Sequence, residues 1–271
     1  IKVKFYPVHL EDKTAQEIDT DADILFLMNY FGYSSKDTIS HPCIIRDLTH
    51  SIFSSKNNDA KYYFGSLRKW CGVWTGGFAW TDHKLPMGVQ KDKGYAFLRD
   101  RAMQLKKNYI DNGNIYNQQK KESIKREFLK LFNEAENILD DIGVVEATER
   151  DVCLSEKIDW EYIKKIRRTN AKILMEAFPD WLIFNILEDN DCPMFVPLLV
   201  PDGKRNDLRQ YLIENEIYCP VHWPVSQYHK LEKGMFNIYE NELSLVCDQR
   251  YTENDMDRMV EIIKKYWKGK N

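Results

Sequence analysis

Lys69 and Asp47 are the residues of this chain best suited to chemistry. Lys69 follows Tyr62-Tyr63-Phe64, an aromatic and β-prone run, and a small-residue break at Gly65-Ser66. Leu67, Trp70 and Trp74 flank it, and Gly76-Gly77 leads into a second apolar run, Phe78-Ala79-Trp80. Apolar walls desolvate an ammonium group, and the neutral amine that results is what forms a Schiff base with a carbonyl. The plainer reading is an exposed lysine in a basic turn beside Arg68, since most lysines are exposed. Asp47 ends the short run Ile44-Ile45-Arg46, and His50 follows it. In an open α/β sheet, ligands sit beyond the carboxyl ends of the strands. A carboxylate there can keep a pyridinium nitrogen protonated while a lysine holds an aldehyde, a pairing that suits pyridoxal phosphate. An isolated aspartate is otherwise a turn or cap residue.

The surrounding elements must bring these groups together. Residues 24–28 are continuously apolar, as expected of a strand covered on both faces, and end in Asn29-Tyr30-Phe31-Gly32. Three strands ending at Asn29, Asp47 and Ser66 would converge on one crevice. Asn29 and Tyr30 would then line a cofactor or substrate pocket, or Gly32 simply makes a turn there. Residues 94–143 repeat apolar side chains at three- and four-residue spacings, broken at Asp111-Asn112-Gly113-Asn114, and predict two helices. The basic run 120–126 suits a solvated helix face. A further helix carries Trp160, Ile163 and Ile166. Beyond it, strands are expected at 181–184, 194–200, 217–221 and 243–246, with helices at 204–215 and 253–267. The alternation argues a small α/β domain over 152–271 following a larger one over 1–151.

Together the two chemical stretches resemble the DegT/DnrJ/EryC1/StrS family of fold-type I, pyridoxal-phosphate-dependent aminotransferases. The family pattern is an aspartate, a Gln or His three residues on, a serine at a strand end, a lysine, and paired glycines. Here these are Asp47, His50, Ser66, Lys69 and Gly76-Gly77. The family's glutamate before the glycines is replaced by Thr75, and the serine stands closer to the lysine than in common members. The resemblance runs on through Arg167-Arg168-Thr169-Asn170, the segment 217–224 and the segment 243–251.

This resemblance implies an α/β, three-layer, aspartate-aminotransferase-type fold. It implies pyridoxal 5'-phosphate held by Lys69, with Asp47, Thr49, His50, Ser66 and Asn29 binding the cofactor and Tyr30 and His222 near the substrate. It further implies an amino donor such as glutamate, a nucleotide-linked keto sugar as acceptor, and a cytoplasmic homodimer. Family members carry a longer leading segment with a phosphate-binding loop. No stretch here matches that loop, so Ser66, nearby backbone or another chain would anchor the phosphate. Arg167 and Arg168 could recognise a carboxylate or phosphate, or simply sit on an exposed helix face; Arg250 is expected in a structural salt bridge. Other readings are a lyase or dehydratase on the same scaffold, a cofactor-free subunit, or a structural protein in which Asp47 and Lys69 never meet.

Bulk properties narrow the choice. The 271 residues are 43% hydrophobic and 13% aromatic, enough for a sizeable core. A net charge of −3 gives no basic field for nucleic acid. No apolar run reaches the roughly 20 residues of a membrane span, and Ile1-Lys2-Val3-Lys4-Phe5 suggests a strand start rather than a signal peptide. The six cysteines form no CxxC, which suits reduced thiols. His41, His83, His222 and His229 lack the spacing of metal ligands.

Overall fold

The computed structural model describes all residues except 11–12, 16–17, 37, 54–59, 86–88, 142, 223–224, 228–230, 232–234 and 270–271. The strands are β1 (Val8–His9), β2 (Thr14–Ala15), β3 (Leu25–Met28), β4 (Ile44–Asp47), β5 (Tyr62–Ser66), β6 (Gly77–Trp80), β7 (Phe195–Leu199) and β8 (Glu242–Val246). The helices are α1 (Tyr95–Asp111), α2 (Gln118–Asp141), α3 (Glu149–Lys157), α4 (Trp160–Ala177), α5 (Arg205–Glu214), α6 (Phe236–Asn241) and α7 (Glu253–Lys268). Residues 1–65 and 159–271 form one compact unit, and residues 66–158 a second. Among the described residues, no helix is long and apolar enough to cross a membrane.

In the first unit, β3 and β4 pair in parallel with Met28 opposite Asp47, and β4 and β5 pair in parallel with Asp47 opposite Phe64. Strand alternation sends Leu25, Leu27 and Ile44 into a buried cluster with Tyr6, Ile18 and Ile39. The opposite face is open: Phe26 is 47% exposed and packs on Phe64 at 5.9 Å between ring centroids. The run 24–28 is therefore covered on one face, not two, because Ile24 and Phe26 take the outer positions of the pleat. Residues 1–7 form no strand, and the first pairing is the short antiparallel β1–β2.

The larger core of this unit surrounds the antiparallel pair β7–β8. Val196, Leu198, Leu243 and Leu245 are fully buried against Leu174 of α4, Leu208 and Leu212 of α5, and Met256 and Ile263 of α7. Burying each such side chain contributes about 1.5–3 kcal/mol. Asp159 caps α4 by accepting the Tyr162 N–H at 2.8 Å, and Thr252 with Asp255 forms a capping box at α7. Over residues 181–184 the expected strand is replaced by the end of a 3-10 turn, Pro179–Trp181, and a single bridge from Leu182 to Leu198. Residues 217–221 also form no ladder: Pro220 accepts the Ser244 N–H at 3.1 Å but has no N–H to return.

Backbone bonds join residues of the early strands to the C-terminal layers within the first unit. Met194 N–H donates to the Phe31 carbonyl at 2.7 Å and Cys192 N–H to the Gly32 carbonyl at 2.9 Å. Asp191, fully buried, accepts both the N–H and the hydroxyl of Ser34 at 2.7 Å. The early strands are thereby sewn to the C-terminal layers.

The second unit opens with a 3-10 turn, Leu67–Lys69, and contains α1 and α2, joined through residues 112–117. Tyr109, Phe128 and Phe132 pack edge to face along the helix pair at 5.7 and 6.3 Å. Glu136 of α2 ties Arg68 at 2.6 Å and Arg99 of α1 at 3.3 Å. In the basic run, Lys120, Lys125 and Arg126 are exposed, as a solvated face requires.

Candidate functional site

At the carboxyl end of β4, Asp47 Oδ1 accepts the Thr49 N–H at 2.8 Å in an Asx turn. Its other oxygen makes no hydrogen bond among the described residues. Asp47 shares the open face of the sheet with Phe26 and Phe64 by register and alternation. A carboxylate half-buried at a strand end, with one oxygen uncommitted, fits the ring nitrogen of a pyridine cofactor.

Asn29 is placed differently. Its side chain is 1% exposed, and its Oδ1 accepts from Nη1 of Arg46 at 2.7 Å, Arg46 itself being fully buried. Asn29 and Tyr30 line a cavity of about 20 Å³ with Lys13, Tyr33 and Phe184. That volume holds about one water molecule, not a cofactor.

The turn after Asn29 is built from two residues with positive φ, Phe31 at 52° and Gly32 at 87°. A Cβ on Gly32 would lie 1.8 Å from the Cys192 carbonyl oxygen, so only glycine fits. Phe31 is held in a conformation that costs a non-glycine residue about 1–2 kcal/mol, and its ring is 1% exposed. His50 stacks on that ring at 5.3 Å, and His222 contacts it at 4.8 Å. Two histidines singled out from widely separated stretches thus meet at one phenylalanine. His222 Nδ1 lies 2.9 Å from Ser244 Oγ, and the His222 backbone N–H donates to Glu242 Oε2 at 2.7 Å. His229 lies outside the described residues.

The chain runs directly from β5 into the 3-10 turn that carries Lys69. Lys69 is exposed, and among the described residues its ammonium makes no ion pair. The expected desolvation is absent because Trp70, 1% exposed, takes the inward position next to it. Ser66 closes β5, and its hydroxyl makes no hydrogen bond among the described residues. Leu67 N–H donates to the Gly76 carbonyl at 2.9 Å and closes the lysine loop at its base. Gly76 takes φ of 117°, whereas Gly77 already belongs to β6.

Sequence reasoning missed the group that fixes this loop. Asp151, 2% exposed on α3, accepts from the N–H groups of Trp74 and Thr75 and from the Thr75 hydroxyl. Arg150 lies 3.7 Å over the Trp74 ring. Burial alone would raise the Asp151 carboxyl; the donors from Thr75, Trp74 and Thr148 outweigh it and hold the group below its ordinary value. The spacing Thr148-x-x-Asp151 is a legible helix start, since Thr148 accepts the Asp151 N–H at 3.2 Å. Glu242 and Ser244 were also missed, although alternate residues of a strand share a face.

The arginines are structural. Arg167 is 3% exposed and donates to Gln249 at 2.8 Å; Arg168 donates to the Asp191 carbonyl at 2.6 Å. Neither lies on an exposed helix face. Arg250 grips both oxygens of Asp248, at 2.9 and 2.6 Å, as the sequence suggested.

No family model matches the sequence, and no curated protein matches it. Solved structures do. The aminotransferase TlmJ from Streptoalloteichus hindustanus superposes with a TM-score of 0.57 at 12% identity, over 94% of this chain and 69% of its own. Spr1654 from Streptococcus pneumoniae, described as a sugar aminotransferase and solved in its PLP form, gives 0.57 at 13% identity, over 92% and 69%. A DegT DnrJ EryC1 StrS aminotransferase from Brucella abortus gives 0.52 at 14% identity, over 89% and 63%. The fold is that of the DegT/DnrJ/EryC1/StrS aminotransferases. The chain spans 63% to 69% of the length of these three structures. Within this fold-type I aminotransferase architecture, Asp47 ends the strand between β3 and β5, and Lys69 follows the end of β5.

Proposed function

We propose that this chain carries a pyridoxal-phosphate-dependent aminotransferase activity toward a nucleotide-linked keto sugar, in polysaccharide or secondary-metabolite biosynthesis, as part of a cytoplasmic homodimer. The observation that carries the reading is the Asp47 carboxylate at the end of β4, one oxygen engaged by Thr49 and the other uncommitted, on a sheet whose next strand runs straight into Lys69. The fold shared with sugar aminotransferases supports it.

When bound, pyridoxal phosphate supplies an electron sink for the carbanion formed at the donor's Cα. Asp47 keeps the pyridine nitrogen protonated. Thr49 sets its γ-methyl against the ring face, and His50 donates to the phenolic oxygen. Ser66 contributes its hydroxyl to the phosphate. Lys69 Nζ would hold the cofactor at its aldehyde carbon and, when free, would move the proton at the donor's Cα as general base and acid. The exposed ammonium of Lys69 is open to cofactor and donor. Asn29 supports the strand ends through its bond to Arg46, and His222 would face the sugar.

The test is reconstitution with pyridoxal phosphate, borohydride reduction and peptide mass mapping. A visible absorption band, with reduced cofactor on the Lys69 peptide and none in K69A, is expected. No band, or label spread over surface lysines, would replace this reading with that of a non-catalytic subunit. If the label sits on Lys69, a screen of amino donors with keto sugars separates transamination from elimination.

A further inference from the structure

Two helical side-chain pairs meet in the second unit. Tyr95 and Arg99 lie one turn apart on α1, and Phe132 and Glu136 one turn apart on α2. Glu136 Oε1 accepts from Arg68 Nη2 at 2.6 Å and from Arg99 Nη1 at 3.3 Å. Each guanidinium also rests on an aromatic ring, Arg68 over Tyr95 at 5.5 Å and Arg99 over Phe132 at 4.7 Å. One carboxylate oxygen thus draws two cations together, and these three groups keep one positive charge in excess. Asp92, the other carboxylate acting on Tyr95, is committed to the start of α1, where its oxygens accept the Tyr95 and Ala96 N–H groups at 2.9 and 3.0 Å.

Donors outnumber acceptors in this cluster. The Nε atoms of Arg68 and Arg99 and the hydroxyl of Tyr95 are buried, and none has a hydrogen-bond partner among the described residues. Tyr95 is 2% exposed. Burial pushes its phenol up, so the hydroxyl keeps its proton at neutral pH and can donate. A buried donor without an acceptor is costly and rare, and three in one cluster mark a place built for an acceptor from outside the chain. Two guanidiniums beside a hydroxyl suit a tetrahedral oxyanion, because the arginine fork matches paired phosphate oxygens. Glu136 is half exposed, so its carboxylate can turn to solvent and open the donors behind it. We infer that Arg68, Arg99 and Tyr95 form a binding site for an oxyanion of the phosphate class, which displaces the carboxylate of Glu136. The arginines supply charge and paired N–H donors, and Tyr95 supplies a neutral one. Arg68 shares its 3-10 turn with Lys69, so an occupied site braces that turn. The inference rests on these side chains alone and needs neither the cofactor nor the activity proposed above.

The test is calorimetric titration of the full chain with inorganic phosphate, chloride holding the ionic strength constant. Saturable one-site binding is expected. E136Q removes the competing charge and should tighten binding at least about tenfold, and R99Q should abolish it. Y95F should weaken binding about tenfold, the worth of one donor to a charged group. Without phosphate, Y95F should unfold at the temperature of the native chain or above it, because the hydroxyl it removes has no partner. A general charge effect would leave Y95F unchanged. Absence of phosphate binding by E136Q, or equal affinities in the native chain, E136Q and Y95F, would overturn the inference; these two variants decide if R99Q does not fold. Competition then identifies the carrier. Displacement by pyridoxal phosphate but not pyridoxal assigns the phosphate to the cofactor, and displacement by uridine diphosphate but not uridine assigns it to a substrate. Displacement by none of these leaves free phosphate as the ligand, and each of the three results supports the site.

Discussion

The carboxylate of Asp151 accepts both the backbone N–H and the hydroxyl of Thr75, each at 2.8 Å. The same group takes the Trp74 N–H at 3.1 Å, so the first turn of α3 clamps the chain between Lys69 and β6. Removing it would leave several donors near a buried position without partners. D151A should therefore cost about 3 kcal/mol of unfolding free energy, at the upper end for a lost hydrogen-bonded carboxylate. D151N, which keeps one acceptor, should lose less. Urea unfolding measures both; a D151A midpoint equal to that of the native chain would remove the clamp from the account.

The same contact predicts a pH dependence. Asp151 is held below its ordinary value in the folded chain, because its donors outweigh the opposing effect of burial. The unfolded chain then binds the proton more readily, so stability rises with pH through this range. The contribution is complete above the unfolded value, about 4, and is lost as pH falls through the lower folded value. The stability difference between the native chain and D151N should shrink on acidification toward pH 3. A difference constant from pH 7 to pH 3 would contradict the assignment.

Gly32 and Gly203 share a positive φ, 87° and 65°, but differ in their surroundings. A methyl on Gly32 would strike the Cys192 carbonyl at 1.8 Å, whereas one on Gly203 meets nothing within 4 Å. G203A should cost only the backbone strain, about 1–2 kcal/mol. G32A adds a clash with main chain that cannot rotate away, so a loss above about 4 kcal/mol is expected. Thermal unfolding of the two variants should differ accordingly. Equal losses would mean that the Phe31-Gly32 turn yields easily.

Much of this was legible in the sequence, and the exceptions have physical causes. Helical spacing located α1, α2, α5 and α7, and apolar runs located β3, β4, β7 and β8. Asp47 was read correctly as a strand end because an apolar run stops there. The joining of residues 1–65 to 159–271 was not legible, since it rests largely on main-chain bonds at Phe31, Gly32, Cys192 and Met194 that leave no side-chain signature. The exposure of Lys69 stayed open in the sequence, because its flanking tryptophans suggested apolar walls while the adjacent Arg68 suggested a solvated turn. A single 3-10 turn turns Trp70 inward and leaves the lysine outside. The buried place of Asn29 depends on Arg46, a charged residue mid-strand that pattern alone assigns to solvent.

The cysteines give a sharp test of which layers are closed. Burial pushes the thiols of Cys192, Cys219 and Cys247 up to about 12. At pH 8 such a thiol is thiolate in on the order of one molecule in ten thousand, against roughly a quarter for an ordinary cysteine. Cys153 is exposed, while Cys43 and Cys71 are half-buried and burial also raises Cys71. Iodoacetamide at pH 8 should therefore label Cys153 first, Cys43 and Cys71 more slowly, and the other three only as urea unfolds the chain. Because Cys192 lies beside the bond to Gly32 and Cys247 follows β8, their labelling reports opening of the seam between the early strands and the C-terminal layers. Fast labelling of Cys192 in the native chain, with Cys219 still silent, would locate a local opening at that seam; fast labelling of all three would mean the β7–β8 core is not closed.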